Sequence, residues 1–457
     1  MSNARRRRPP GARFAWLLTA SVCLPHAEAQ LLLGGPPPVP PPEVRIDPRL
    51  PTGAARTFSD RPVTEEPPAC SFTRPVCVHR LGDIPGKTAL TVLEALETAY
   101  DRLVVALDLP APRPDSSRGG SDALDLYLDP AAGSDLEVLL DPPRWLGFDT
   151  ASVFCRGGRY LEPARAATLC VAEAIAARLD AGTTPDIRRA YATHLWWATG
   201  EPDSTDLARV DDAQRHPERS LFGRERTPAS EGAGALFFDV LDFTRGRGAP
   251  GTLATMALAA AGSRTAPSAP AWNNEPDLLD VLRHTFEPPA AFASLFGDFA
   301  VTRAFLGDRD DGTHAPQLAW TGSAGDVRFD WSLKYSALPR RVASAYPIEP
   351  FGATYLWLDL DDRALGAKLG FQAQWEPPVS FQWMLVRMAR DGRELSRLVV
   401  PFLQRATEVT QTLDNLDAAA GVLIVGTQFG GVDLLHPFDP DVAPFEGHGC
   451  TVYLAKL

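Results

Sequence analysis

The stretch from Glu162 to Pro202 sets the terms for everything around it. It runs EPARAATLCVAEAIAARLDAGTTPDIRRAYATHLWWATGEP and reads as two helices joined by a short turn, with Gly182 and Gly200 as their C-terminal stops. Between His79 and His216 there is one histidine, His194. That count limits the chemistry, because a site needing two imidazoles cannot be built from this helix pair.

The flanking segments place the pair in a mixed fold. Lys87 to Leu107 puts Leu93, Leu96, Tyr100, Leu103 and Leu107 on one helical face. Pro110 to Gly120 is a breaker-rich loop. Asp122–Asp129 (DALDLYLD) alternates Leu124, Leu126 and Leu128 with Asp125 and Tyr127, which predicts a strand, and Leu136–Leu140 and Ser152–Cys155 predict two more. Pro202 to Pro228 is polar and reads as an irregular surface excursion. From Ser230 the chain turns helical again, with Ala233, Phe237, Val240 and Leu241 on a common face. Short helices are expected at Thr252–Ala261 and Pro276–Phe286. Ala290–Leu306 then sets Phe292, Leu295, Phe296 and Phe299 at helical spacing, the mark of a core stripe.

The pattern changes after Gly325. Val327, Phe329, Trp331, Leu333 and Tyr335 alternate with period two, and comparable runs recur at Ala353–Leu360, Ala367–Trp375, Phe381–Met388, Val422–Thr427 and Thr451–Leu454. Such spacing predicts a sandwich of roughly six to eight strands, jelly-roll or Ig-like. The fold class is therefore α+β: a mainly helical domain with a small sheet over 70–307, a linker over 308–324, and an all-β sandwich over 325–457.

The N-terminus is read separately. Arg5 to Arg8 with Arg13 form a basic region, Phe14 to Leu24 an apolar segment, and Ala27-Glu28-Ala29 a small-residue cleavage site before Gln30. This predicts a secretory signal over 1–29, with a short membrane anchor left uncleaved as the alternative. Residues 30–69 follow as a Pro-rich linker, with Pro36–Pro42 favouring polyproline II. No later run is apolar enough to span a membrane. The expected destination is the periplasm, the cell envelope or the medium. There disulfides persist, and Cys70 with Cys77 and Cys155 with Cys170 are the candidate pairs, leaving Cys450 over. The formal charge is −12 over 457 residues, and the first 29 carry five Arg against one Glu. The acidic remainder argues against nucleic acid or an anionic membrane surface as partner.

Motifs for other chemistries fail at named positions. Pro228-Ala229-Ser230-Glu231-Gly232 lacks the first Gly of a nucleophile elbow and has no strand before it. Gly232-Ala233-Gly234 opens a dinucleotide fingerprint, but Phe237 stands where its last Gly belongs. Asp308-Arg309-Asp310-Asp311-Gly312 resembles the start of a calcium loop, with Asp308 and Asp310 as candidate ligands. Position 319, where the closing Glu belongs, is Ala. A solvated turn is the alternative for this segment.

From Cys70 to about Leu306 the order of segments resembles secreted bacterial metallopeptidases of the zincin class, of the gluzincin-like HExxH…E kind. The segments are a CVHR start, a helix, DALDLYLD, the motif helix, the ligand helix, and an aromatic helix like EGAGALFFDVLDF. The trailing sandwich resembles the domain often appended after such peptidases. The resemblance implies that the first His of the motif falls at Ala172, the Glu at Glu173, the second His at Ala176 and the Glu ligand at Tyr191, with Trp196 as its aromatic neighbour. Only Glu173 matches.

Glu173 is then either a surviving general base or a helix carboxylate paired with Arg188 or Arg189. The expectation is a catalytically silent relative with no cofactor, one that binds an extracytoplasmic protein or polysaccharide. The alternatives are a zinc- or calcium-dependent hydrolase with a relocated site, using Glu173, His194 and Glu201 (His194 could also reach Asp180), and a structural envelope component.

Overall fold

The computed structural model describes residues 59–133, 135–141, 150–222, 227–262, 278–322, 325–403, 405–430 and 446–457. The signal and cleavage site expected over 1–29 lie outside these residues, as does most of the Pro-rich stretch.

The first sheet is built from β1 (Ala69–Cys70), β2 (Val76–Arg80), β3 (Leu124–Leu128), β4 (Glu137–Leu140) and β5 (Val153–Gly157), in the order β1-β2-β3-β5-β4. β2, β3 and β5 run parallel, and β1 and β4 are antiparallel edges. Helix α1 (Gly86–Tyr100) crosses between β2 and β3, as a parallel pair requires. It continues as π-helical turns over Asp101–Ala106, which keeps Leu103 buried. Val76, Val78, Leu124, Leu126 and Val153 face the helices in one core cluster. Disulfides close Cys70–Cys77 and Cys155–Cys170, and Cys450 is free and buried.

The opposite face of this sheet is covered by the end of the Pro-rich stretch. Ser59 donates its backbone N–H to Leu140 O at 3.1 Å. Arg61 lies against the Phe154 ring, 5.3 Å from its centroid. Its guanidinium meets three buried carboxylates: Asp125, Asp115 at 2.6 Å and Asp141 at 2.7 Å. His79 stacks on Tyr127 and reaches Asp125 Oδ1 at 3.0 Å. Burial opposes the Asp115 charge most strongly and raises its pKa, although Arg61 pulls the other way.

Seven further helices are described: α2 (Pro163–Leu179), α3 (Pro185–Thr199), α4 (Ser204–Arg215), α5 (Pro228–Thr244), α6 (Thr252–Gly262), α7 (Leu278–Thr285) and α8 (Pro289–Arg303). α4 corrects the expectation of an irregular excursion over Pro202–Pro228. It is capped by Asp203 in a reciprocal box with Asp206, and its buried face is Asp206, Val210, Ala213 and Gln214. With half of that face polar, the apolar periodicity that marks a helix is missing.

The C-terminal region is sheet-rich. β6 (Trp331–Lys334), β8 (Ala353–Asp359), β10 (Phe381–Met388), β11 (Glu394–Val399) and β13 (Gly421–Gln428) form one sheet, ordered β11-β10-β13-β8-β6. β7 (Arg340–Ala343), β9 (Leu369–Trp375), β12 (Glu408–Leu413) and β14 (Cys450–Lys456) form the other, ordered β12-β9-β14-β7. Both sheets contribute to a shared core around Phe371, Trp383, Leu385, Ile424 and Val452. The strand expected over Val327–Tyr335 shortens to Trp331–Lys334. Val327 and Phe329 turn instead toward a third cluster, formed with Ala300, Val301 and Phe305 at the end of α8.

That third cluster joins the two regions. α8 lies on the outer face of the first C-terminal sheet, against Tyr355, Met384, Val386 and Val425. A Cβ at Gly297 would come within 2.5 Å of Cε at the flexible end of Met384, so the helix and this strand are in close contact here. Phe296 stacks on Phe237 at 4.9 Å and leans on Phe351 at 4.6 Å. At the helix end, buried Arg303 donates to Gln214 Oε1 and Ala213 O, each at 2.8 Å. Gln214 in turn donates to Arg303 O and Gly325 O.

Arg61 yields a stability prediction. Truncation in Arg61→Ala strands three buried carboxylates, and removing one partner of a buried ion pair costs about 3–5 kcal/mol. The urea midpoint should fall accordingly. Arg61→Lys should recover only part of the loss, because an ammonium cannot span two carboxylates as a planar fork does. A loss below about 1 kcal/mol, the range of exposed pairs, would mean that the strap is not anchored here.

Candidate functional site

Helices α2 and α3 form the candidate site, and local sequence explains both. Glu162 caps α2, accepting from Ala164 N and Arg165 N, with Pro163 in the first turn where its missing N–H costs nothing. Thr184 and Pro185 do the same for α3. α2 has little amphipathic asymmetry. From Arg165 to Ala177 every residue is buried, as expected of a helix with packing on all sides. α5 closes over α3 through Gly234, where a Cβ would meet Ala190 Cβ at 2.7 Å.

The positions at which the resemblance would place zinc ligands carry no ligand chemistry. Ala172 and Ala176 are fully buried methyl groups. Tyr191 is fully buried, with its hydroxyl 2.5 Å from Thr255 Oγ1 and its ring edge-on to Phe238. Burial pushes the Tyr191 phenol well above its ordinary range, so it stays neutral. Two methyls and a phenol do not fit a zinc ion, which takes neutral imidazole, thiolate or carboxylate.

Glu173 is paired with Arg189. Arg189 Nε lies 2.5 Å from Glu173 Oε1, both side chains are at most 5% exposed, and Arg189 Nη2 also donates to Leu136 O at 2.8 Å. Arg188 points elsewhere and donates to Thr183 O. Glu173 Oε1 is thus held in a buried ion pair.

His194 faces another way. Arg189 and His194 are five positions apart, which at about 100° per residue separates them by about 140° around α3. His194 Nε2 lies 2.8 Å from Asp242 Oδ2, and Nδ1 lies 3.5 Å from Asp239 Oδ2. Burial disfavours its charged form, but the two carboxylates outweigh that and raise its pKa to about 9. Asp242 also accepts from the backbone N–H groups of Gly251, Leu253 and Ala254, capping α6. Glu201 is exposed beyond α3. Glu173, His194 and Glu201 thus have separate surroundings, and Asp180, the other residue considered beside His194, is buried at the end of α2.

Asp308 is exposed in a 3-10 turn, and Asp310 spends Oδ1 on Gly312 N, a local turn bond. Among the described residues, no group of three or more His, Cys, Asp or Glu is placed to hold a metal ion.

A cavity of about 240 Å³ lies over α2, between the approach to β4 and the start of α4. Three arginines reach it, each with an acid behind it. Arg189 has Glu173. Arg165 lies 3.1 Å from Asp206, and Arg209 lies 2.9 Å from Glu231. Trp196 Nε1 donates to Asp206 Oδ2, and Thr193 Oγ1 to Glu231 Oε1, both at 2.8 Å. The arrangement can recognise polar groups. Sequence reasoning did not find Arg165, Arg209, Asp206 or Glu231 as a set, since they come from three helices. Asp239 and Asp242 were more visible, as two acids three apart within an apolar helical run.

No family model and no curated protein matches this chain. Among solved structures, it is similar over 29% of its length to the pre-peptidase C-terminal domain of a collagenase from Bacillus anthracis. That match covers 99% of the domain at 7% identity and a TM-score of 0.19. A CBM4 structure matches 25% of this chain and 77% of its own, at 16% identity and a TM-score of 0.14. At these scores neither likeness carries an argument.

Two measurements test the site. Arg189→Met strands the Glu173 charge and should cost about 3–5 kcal/mol, whereas the double change with Glu173→Leu should restore most of it. A double-mutant cycle by denaturant unfolding gives the coupling directly.

His194 makes stability depend on pH. Its folded pKa of about 9 lies above the ordinary 6.5, so its contribution is full below about pH 6.5 and is lost as pH rises through about 9. Thermal melts across that window should show the decline in the native protein and a flatter profile in His194→Gln.

Proposed function

We propose that this is an exported, catalytically silent relative of zincin metallopeptidases that acts by binding outside the cytoplasm. In this reading the helical region with its small sheet is zincin-like, and the two packed C-terminal sheets are an appended β-sandwich. The observation that carries it is the Glu173–Arg189 pair, which occupies the general-base position. The positions aligned with the ligands, Ala172, Ala176 and Tyr191, are sealed apolar packing. Such a domain keeps its fold without metal because its core is side-chain packing.

The disulfides support export. Two disulfides are closed, and disulfides persist in oxidising compartments. Among the described residues no helix is long and apolar enough to cross a membrane. The partner is an extracytoplasmic protein or polysaccharide, and the polar cavity over α2 is the surface assigned to it.

The test is metal content and turnover. Purified full-length protein should hold substoichiometric zinc after dialysis and cleave no peptide in a chelator-sensitive way. Stoichiometric zinc lost in His194→Ala, or chelator-sensitive cleavage abolished by Glu173→Gln, would falsify the silent reading.

A further inference from the structure

A second cavity, about 320 Å³, opens where α5 and α8 meet β11 and the turn at Thr313-His314. It shares no lining residue with the cavity over α2. Its inner wall includes Phe237, Phe243, Leu295 and Phe299. Its ionisable side chains are Arg245, Arg397, His314 and Asp298. A concave apolar pocket with a few convergent polar groups is the usual form of a small-molecule site, and this volume is at the lower end of that range.

The charged groups are not equivalent. Arg397 places three of its five N–H donors on carboxylates. It makes two hydrogen bonds to Glu394, at 2.7 and 2.6 Å, and one to Asp298 Oδ1 at 2.8 Å. His314 stacks on Phe305 at 3.7 Å, and its two nitrogens lie 2.9 Å from Asp311 and from Glu394. It serves as wall. Asp298 has one oxygen on Arg397 and the other on Arg245.

Arg245 is different. Its side chain is 44% exposed, and among the described residues its one hydrogen bond is to Asp298, at 3.3 Å. Most of its donor fork is therefore available at the edge of an aromatic pocket. A planar fork matches a carboxylate bidentately.

We infer that this cavity binds a small organic carboxylate whose body is aromatic, the acid group on Arg245 and the ring among Phe237, Phe243 and Phe299. The volume sets the size. At about 30 Å³ per non-hydrogen atom, the share of a water molecule, it holds roughly ten such atoms. A cationic head group would meet two guanidiniums at the wall, with the one lining carboxylate, Asp298, already shared between them, and a neutral one would gain no ion pair. The inference concerns a different site from the proposed function and stands or falls apart from it.

The test uses full-length protein and three probes of matched size: 3-phenylpropionate, 3-phenylpropan-1-ol and 3-phenylpropylamine. Isothermal titration calorimetry should show the acid binding at least about tenfold tighter than the alcohol or the amine, a step expected from one charged hydrogen-bonded contact. Arg245→Gln, at an exposed position where folding is readily checked by circular dichroism, should remove the acid's advantage and leave the alcohol unchanged. Phe243→Ala should weaken acid and alcohol alike. Equal affinity for the three probes, undiminished acid binding in Arg245→Gln, or no saturation-transfer signal from any probe each overturns the inference.

Discussion

A helix enclosed on every side must have its charges answered from within the fold. α2 is such a helix, buried from Arg165 to Ala177. A lone carboxylate there would be expensive to keep ionised, since desolvation alone costs several kcal/mol per charge even after relaxation. Glu173 is tolerable because Arg189 reaches it from α3, and Arg165 because Asp206 reaches it from α4. These pairs fix how the helices stack. They also set buried charges from separate helices against one another.

The same logic governs the other buried charges. Arg61 answers three aspartates on the far face of the first sheet. His194 is answered by Asp239 and Asp242, and Arg303 by the carbonyl of Ala213 and the amide of Gln214. Each of these ties elements that are distant in sequence. Buried polar networks of this kind stabilise less than their geometry suggests, since the cost of leaving water offsets much of the attraction. Their clearer consequence is that each permits one arrangement of its elements.

How legible this was depends on the number of faces a segment buries. β9 buries alternate residues, Leu369, Phe371, Ala373 and Trp375, and its period-two signal was plain in the sequence. β13 is buried along its whole length because α8 covers its outer face, so its apolar run marked a strand but gave no hint of the helix. The exposed edge strands β11 and β12 carry little apolar signal, and neither was expected. α4 was missed for the opposite reason: its buried face includes Asp206 and Gln214, whose partners Arg165 and Arg303 are remote in sequence. The two disulfide pairs were readable from their short separations. The partner of Glu173 was readable as a choice between two adjacent arginines, and α3 geometry selected the second.

The joint between the helical and sheet-rich regions accounts for where the second cavity lies. α8 must satisfy two surfaces at once, the aromatic cluster of the helices on one side and a twisted sheet on the other. A straight helix cannot follow a twisted sheet to its corner. Near β11 the gap is bridged by charged side chains: Asp298 on α8 takes Arg397 from the strand and Arg245 from α5. Beneath that bridge, among the described residues, the aromatic walls of α5 and α8 leave a space between them. Arg245, at the rim of that space, sets an exposed guanidinium beside aromatic walls, so the joint between helix and sheet leaves a cleft that is apolar within and charged at its mouth.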